Sequence, residues 1–237
     1  MPSSFFRFKQ FIVHQDKSAM KVGTDGVLLG AWTGASNACS ILDIGTGTGL
    51  IALMLAQVSQ AKIDAIDVDK NSCEQALENI SLSPWNDRIN IIHKSFQEYQ
   101  QNCHLKYDLL VSNPPFFINS LKSGKEERNL ARHNDALPFH DIIAGVLNLL
   151  AKDGRFCIIL PFTEGNIFID LARECLLFCS RKTHVSPCPW KSPTRLLIEF
   201  RRESRSLVEN SLTIEMDERH SYSAEFVHLT RDFYLKH

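Results

Sequence analysis

Apolar residues fall in short blocks of five or six, each closed by a polar or glycine-rich turn and most followed by helical spacing. The blocks predict strands at Ser40–Ile44, Lys62–Val68, Arg88–His93, Tyr107–Ser112, Arg155–Pro161, Thr183–Ser186 and Arg195–Arg201. Between them the spacing predicts helices at Leu50–Val58, Asn71–Leu82, Gln97–Asn102, Pro138–Leu150 and Gly165–Leu177. Ahead of the first block, Phe6 and Phe8 alternate with Arg7 and Lys9 as a short strand, and Asp25 reads as the N-cap of an apolar helix ending at Trp32. Apolar spacing between Tyr222 and Leu235 suggests a last, docked helix. Strands separated by helices imply a parallel sheet covered on both faces. The final two strands are joined by a polar loop alone, which implies an antiparallel hairpin at the edge. The expectation is therefore α/β: a doubly wound, mostly parallel seven-stranded sheet with an antiparallel C-terminal edge strand and a short N-terminal extension. Residues 1–38 would form a strand and helix covering the site, and 39–237 the main body of one domain.

Composition narrows the class. The chain has 237 residues, 44% of them apolar, and a net charge of −1, which excludes a charged tail or a fibre. No apolar run approaches the ~18–20 residues of a membrane helix, and the first residues lack the apolar stretch of a secretory signal. Seven cysteines without a C-x-x-C pair suit a reducing cytoplasm, and nine histidines without ligand spacing predict no metal. Two basic clusters stand out. One is Lys122, Lys125, Arg128, Arg132 and His133; the other is Arg181, Lys182, Lys191, Arg195, Arg201, Arg202 and Arg205. A solvated face is the simpler account of the second, while the first follows a motif that gives it a job.

The first chemical signal is Ile41-Leu-Asp-Ile-Gly-Thr-Gly-Thr-Gly-Leu50. A strand ends at Asp43 and Ile44, Gly45, Gly47 and Gly49 alternate through a turn, and a helix begins at once. Such a junction offers bare backbone to a ligand across the strand ends. A dinucleotide fingerprint would need its third glycine where Leu50 stands, which disfavours a nicotinamide-dependent oxidoreductase. The carboxylate of Asp43 beside the glycines suits a cationic ligand without phosphate. This pattern resembles the first motif of S-adenosylmethionine-dependent methyltransferases of the Rossmann-like class. By that resemblance Asp67, at the end of the second strand, would hold the cofactor's ribose hydroxyls, with Asp69 as competitor. Ser95 and Phe96, after the third strand, would lie at its adenine.

Asn113-Pro114-Pro115-Phe116 directly after the fourth strand is the second signal. Two prolines there forbid both strand and helix and freeze a turn at the carboxyl edge. An exocyclic amino group on a ring is a poor nucleophile because its lone pair is delocalised. The Asn113 side-chain oxygen and the Pro114 carbonyl can each accept one N–H, which aims the lone pair at a methyl donor, while Phe116 stacks on the base. Positioning and electrostatics then carry the transfer.

The glycine loop, Asp67 and this turn are similar to amino-group methyltransferases acting on adenine, guanine N2 or protein glutamine. Phe8-Lys-Gln-Phe11, Met20-Lys-Val-Gly-Thr-Asp-Gly-Val-Leu-Leu-Gly-Ala-Trp32 and Leu229-Thr-Arg-Asp-Phe-Tyr-Leu235 resemble, more closely, the bacterial family that methylates N6 of adenine 37 in a valine tRNA. The resemblance implies S-adenosylmethionine as cofactor, the anticodon loop of tRNA as partner, and Lys21, Gly23 and Thr24 near the methionine end of the cofactor. A monomer or weak dimer is expected, with no membrane partner. Lys122, Lys125, Arg128 and Arg132 would then grip tRNA phosphates around an unstacked base. The alternatives are guanine N2 in ribosomal RNA, a protein glutamine amide and, more remotely, a non-catalytic RNA-binding module, which would have no need of Asn113-Pro114-Pro115-Phe116.

Overall fold

The computed structural model describes residues 4–18, 20–115, 137–217 and 221–236. Strands β1 (Phe5–Arg7) and β2 (Ile12–His14) pair as an antiparallel hairpin ahead of α1 (Thr24–Thr33). Alternation then begins with β3 (Ser40–Ile44), α2 (Leu50–Val58), β4 (Lys62–Asp67), α3 (Lys70–Ser81), β5 (Ile89–His93), α4 (Phe96–Asn102) and β6 (Tyr107–Ser112). It continues with α5 (Phe139–Leu149), β7 (Leu150–Pro161), α6 (Phe162–Glu174), β8 (Phe178–Ser186), β9 (Arg195–Arg201), β10 (Val208–Thr213) and α7 (Ala224–Thr230).

The main sheet runs β10-β8-β9-β7-β6-β3-β4-β5, all parallel except β9. Period-two alternation divides its buried residues between two cores. Ile41, Leu109, Ile159 and Leu197 face one, with α1 and α2; Leu42, Leu110, Ile158 and Ile198 face the other, with α4, α5 and α6. Because both faces are covered, the strands read as nearly continuous apolar runs. Helix α2 is enclosed so fully that Leu50 to Ala56 are all buried.

Two expectations about the sheet need correction. Among the described residues it has eight strands, not seven, and the antiparallel strand β9 lies inside it between β7 and β8. The eighth strand, β10, is exposed along Val208–Ser211 and held by backbone pairing to β8, so it carries no apolar alternation to read. Smaller boundaries also shift. Gly23, not Asp25, is the N-cap of α1. The gap expected between the helix ending at Leu150 and the strand starting at Arg155 is filled by β7 itself, which runs on through Asp153 and Gly154 with a bulge. A Cβ on Gly154 would meet the Tyr107 carbonyl at 2.9 Å, so only glycine permits the close pairing with β6. Pro138 precedes α5 as its N-cap rather than opening it.

Candidate active site

The carboxyl ends of β6, β3 and β4 lie side by side, with Ser112 opposite Ile44 and Ile44 opposite Ile66. Two strand spacings place Asp67 and Asn113 about 10 Å apart, with the glycine loop between them.

In that loop Gly45, Gly47 and Gly49 have φ of 73°, 57° and 81°, left-handed values that side chains resist. The loop's amides are less bare than the sequence suggests. Those of Gly45 and Thr46 donate to the Ile66 carbonyl at 2.9 and 3.0 Å, Gly49 donates to Thr46, and Gly47 donates to Asp67 Oδ2 at 2.8 Å. What the loop leaves open is its Cα surface. Gly45 is exposed, and a Cβ built there would have nothing within 4 Å. Gly49 serves packing instead, since its missing Cβ lets Ala76 of α3 come within 3.4 Å.

Asp43 is wholly buried beneath the loop. Its Oδ2 accepts from the Thr46 hydroxyl at 2.7 Å, and its Oδ1 has no hydrogen-bond partner. Burial lifts this carboxyl to about 7, with Thr46 and the nearby Ala52 amide pulling the other way. Asp67 is half-buried, and its oxygens accept from the Gly47 and Asp69 amides, each at under 3 Å, which fixes the carboxylate at the loop's edge. Burial raises its pKa above the ordinary range despite those amides. Its competitor Asp69 is committed elsewhere. It caps α3, accepting from the Ser72 amide and hydroxyl and the Asn71 amide.

Asn113 is half-buried and Pro114 buried at the end of β6. The Ser112 hydroxyl donates to the Ile44 carbonyl at 3.0 Å and ties this strand end to the glycine loop. On the other side stands α1, where a Cβ on Gly26 would lie 3.9 Å from Asn113 Nδ2. Phe116, Lys122, Lys125, Arg128 and Arg132 lie outside the described residues.

Ser95 and Phe96 open α4. Ser95 caps α4 in a reciprocal pair with Glu98, and Phe96 is buried against Gly145 of α5. Lys21 Nζ donates to the carbonyls of Gln15 and Ser18, so it braces its own segment. Gly23 and Thr24 open α1, whose next residue, Asp25, accepts from Arg195 Nε at 2.8 Å.

One group of residues at this site went unread in the sequence. Asn79 of α3 accepts from the His14 amide and donates to the carbonyls of His14 and Thr48. Gln75, one turn earlier, accepts from the Lys17 amide. Together they strap the N-terminal segment to the glycine loop. The available signal was two amides four apart on a helix otherwise read only as mixed in polarity.

Comparison with known proteins shows the family and the fold. Residues 23–162 match the family described as the methyltransferase small domain. A protein of Parabacteroides distasonis named tRNA1(Val) (adenine(37)-N6)-methyltransferase is 52% identical over 237 residues, covering all of both chains. One of the same name from Trichodesmium erythraeum is 48% identical over 241 residues, again covering all of both. Among solved structures, a predicted O-methyltransferase from Agrobacterium tumefaciens superposes with a TM-score of 0.70 at 19% identity. It covers 88% of this chain and 96% of its own, a likeness of fold.

Proposed function

The chain belongs to the family of tRNA1(Val) (adenine(37)-N6)-methyltransferases, and on that premise we propose that it moves a methyl group from S-adenosylmethionine to N6 of adenine 37 in the anticodon loop of a valine tRNA. The observation that carries the chemistry is the Asn113-Pro114-Pro115 turn, one strand away from an open glycine loop and flanked by α1.

The cofactor's residues fit on two features. The bare face of Gly45 leaves room for a ligand against the backbone, and the partnerless Oδ1 of Asp43 leaves negative potential under it. When bound, S-adenosylmethionine supplies a methyl group on a positively charged sulfur. Asp67 would accept from its ribose hydroxyls with the lone pairs that Gly47 and Asp69 leave over. Asn113 and Pro114 would hold the adenine amino group by its two N–H bonds, with Phe116 against the ring. The proton can leave after transfer, so no side chain need act as a strong base.

The deciding experiment is nucleoside mass spectrometry after incubating the protein with labelled S-adenosylmethionine and unmodified transcripts of several tRNAs. Labelled N6-methyladenosine in a valine tRNA is the expected product. Label in ribosomal RNA or in a protein glutamine instead would reassign the substrate and leave the fold's chemistry standing.

Two further outcomes follow from the same reading. A cation beside Asp43 favours its charged form, so cofactor binding should expel a proton from a carboxyl that titrates at about 7. Affinity should be full above that pH and fall as pH drops through it, by at most about tenfold per unit. Calorimetry in two buffers of different ionisation enthalpy reads the proton directly, and Asp43→Asn should abolish the difference. Equal affinity at about pH 6 and pH 8 would remove Asp43 from the ligand's surroundings. Replacing Arg128 and Arg132 together with alanine should weaken tRNA binding and flatten its salt dependence, reducing the slope by about 2 in log–log form, with cofactor affinity intact.

A further inference from the structure

Trp190 stands in water on the same edge of the sheet as the Asn113 turn. Its 63% exposure is unusual for an indole, and the loop that carries it is stiff. Cys188, Pro189, Trp190 and Lys191 form a turn closed by the Lys191 amide donating to the Cys188 carbonyl at 3.1 Å, with proline in the position whose φ it presets. Cys188 is buried beneath that turn, and Pro187 and Pro193 bracket it. Both loop ends are pinned. Thr194 donates to Val185 at 2.8 Å, and Glu215 donates to Pro187 at 3.0 Å.

The first turn of α1 connects this loop to the site. Gly26 faces Asn113, and the preceding residue, Asp25, holds Arg195, whose Nη1 donates to the Thr194 carbonyl at the loop's end. Thr24 and Pro187 line a common cavity of about 270 Å³. The loop is thus fastened to the element that flanks the catalytic turn, and its tip lies at most about 18 Å of extended chain from Arg195.

A rigid indole with a flat face in water has little side-chain entropy to lose when something stacks on it. A cation next to it in the chain, exposed Lys191, adds attraction for an anion at the stack's edge. Of the chemistries that offer a flat face and a negative charge together, a nucleotide of single-stranded RNA fits, and the anticodon loop supplies such nucleotides on either side of the target.

We propose that Trp190 stacks on an anticodon-loop base neighbouring the methylated adenine and that Lys191 meets its phosphate, an inference resting on tRNA as substrate. The loop would hold the RNA in register while the target base enters the site.

The test uses the full-length protein and a valine tRNA transcript. Trp190→Ala should weaken tRNA binding and raise KM about 5- to 150-fold, the range for losing a stacked base, with cofactor affinity and kcat at saturating tRNA unchanged. Trp190→Phe should restore most of the loss, which a merely structural role would not predict. Titration with tRNA should quench tryptophan fluorescence in the parent, and the quench should vanish in Trp190→Ala, because Trp32 is buried and Trp85 half-buried. Lys191→Ala should lower the salt slope by about 0.7–0.9, and Trp190→Ala should not. Unchanged tRNA affinity in Trp190→Ala overturns the proposal and leaves the surface to a protein partner. A parent enzyme that methylates no tRNA at all overturns the substrate reading instead, so the two failures are distinct.

Discussion

Asn113→Ala should lower the rate of methyl transfer at saturating tRNA by about 10²–10³-fold while leaving cofactor affinity within about twofold. The size follows from what the side chain would do. A preorganised acceptor on the adenine amino group acts on the nitrogen as it changes geometry, so its removal appears in kcat more than in KM. The placement supports a fixed acceptor. Ser112 beside it is tied to Ile44, Pro114 is buried, and Gly26 leaves no side chain between α1 and the amide. Cofactor affinity should hold because Asp67 and the glycine loop, two strands and one strand away respectively, keep their own hydrogen bonds. Single-turnover assays with labelled cofactor, beside calorimetric titration of the same variant, separate the two effects. Retention of more than a tenth of the parent rate would show that Asn113 does not hold the reacting nitrogen.

The fold was largely legible because its central strands are covered on both faces, so burial wrote itself into the sequence as apolar runs such as Ile41–Ile44 and Leu109–Val111. Where burial was absent the reading failed, and β10 is the case in point. The glycine loop and the Asn113 turn were legible because their backbones admit few residue types. The capping role of Ser95 was not read, since a serine that caps a helix and one that touches a ligand look alike until Glu98 is seen folded back on it. The second basic cluster failed for another reason. Read as a solvated face, it is largely an internal network: Arg181 and Arg201 meet Glu199 together with Arg155, Arg202 donates to the Leu147 and Leu150 carbonyls, and Lys182 pairs with Glu209. Partners supplied by neighbouring strands leave no mark in local spacing.

That network carries the second large effect: Glu199→Ala should destabilise the fold by about 3 kcal/mol. Glu199 is 7% exposed, and its carboxylate meets Arg155, Arg181 and Arg201 at 3.1–3.3 Å and the Ser180 hydroxyl at 3.0 Å. Removing it strands three guanidinium groups, and their partial exposure keeps the loss at the low end for a broken buried pair. The same arginines also close the C-terminal end of α1, where Arg181 donates to the Trp32 carbonyl at 3.2 Å and lies over its ring, while Arg155 donates to the carbonyls of Thr33 and Gly34. The other end of that helix flanks Asn113 and anchors Arg195. A variant that survives should therefore lose activity at a lower temperature than it unfolds, because α1 loosens before the sheet does. The acid dependence gives an independent check. Burial works to raise the Glu199 pKa, but Arg181, Ser180, Arg155 and Arg201 outweigh it and hold the carboxyl below its usual range. Its contribution is then fully present above the unfolded value, about 4.3, and is lost as pH falls through the lower folded value. Denaturant titrations at several pH values should show this acid limb in the parent and its absence in Glu199→Gln. A Glu199→Ala protein within about 1 kcal/mol of the parent at neutral pH would mean that the arginines are held by the helix carbonyls alone, with Glu199 a passenger.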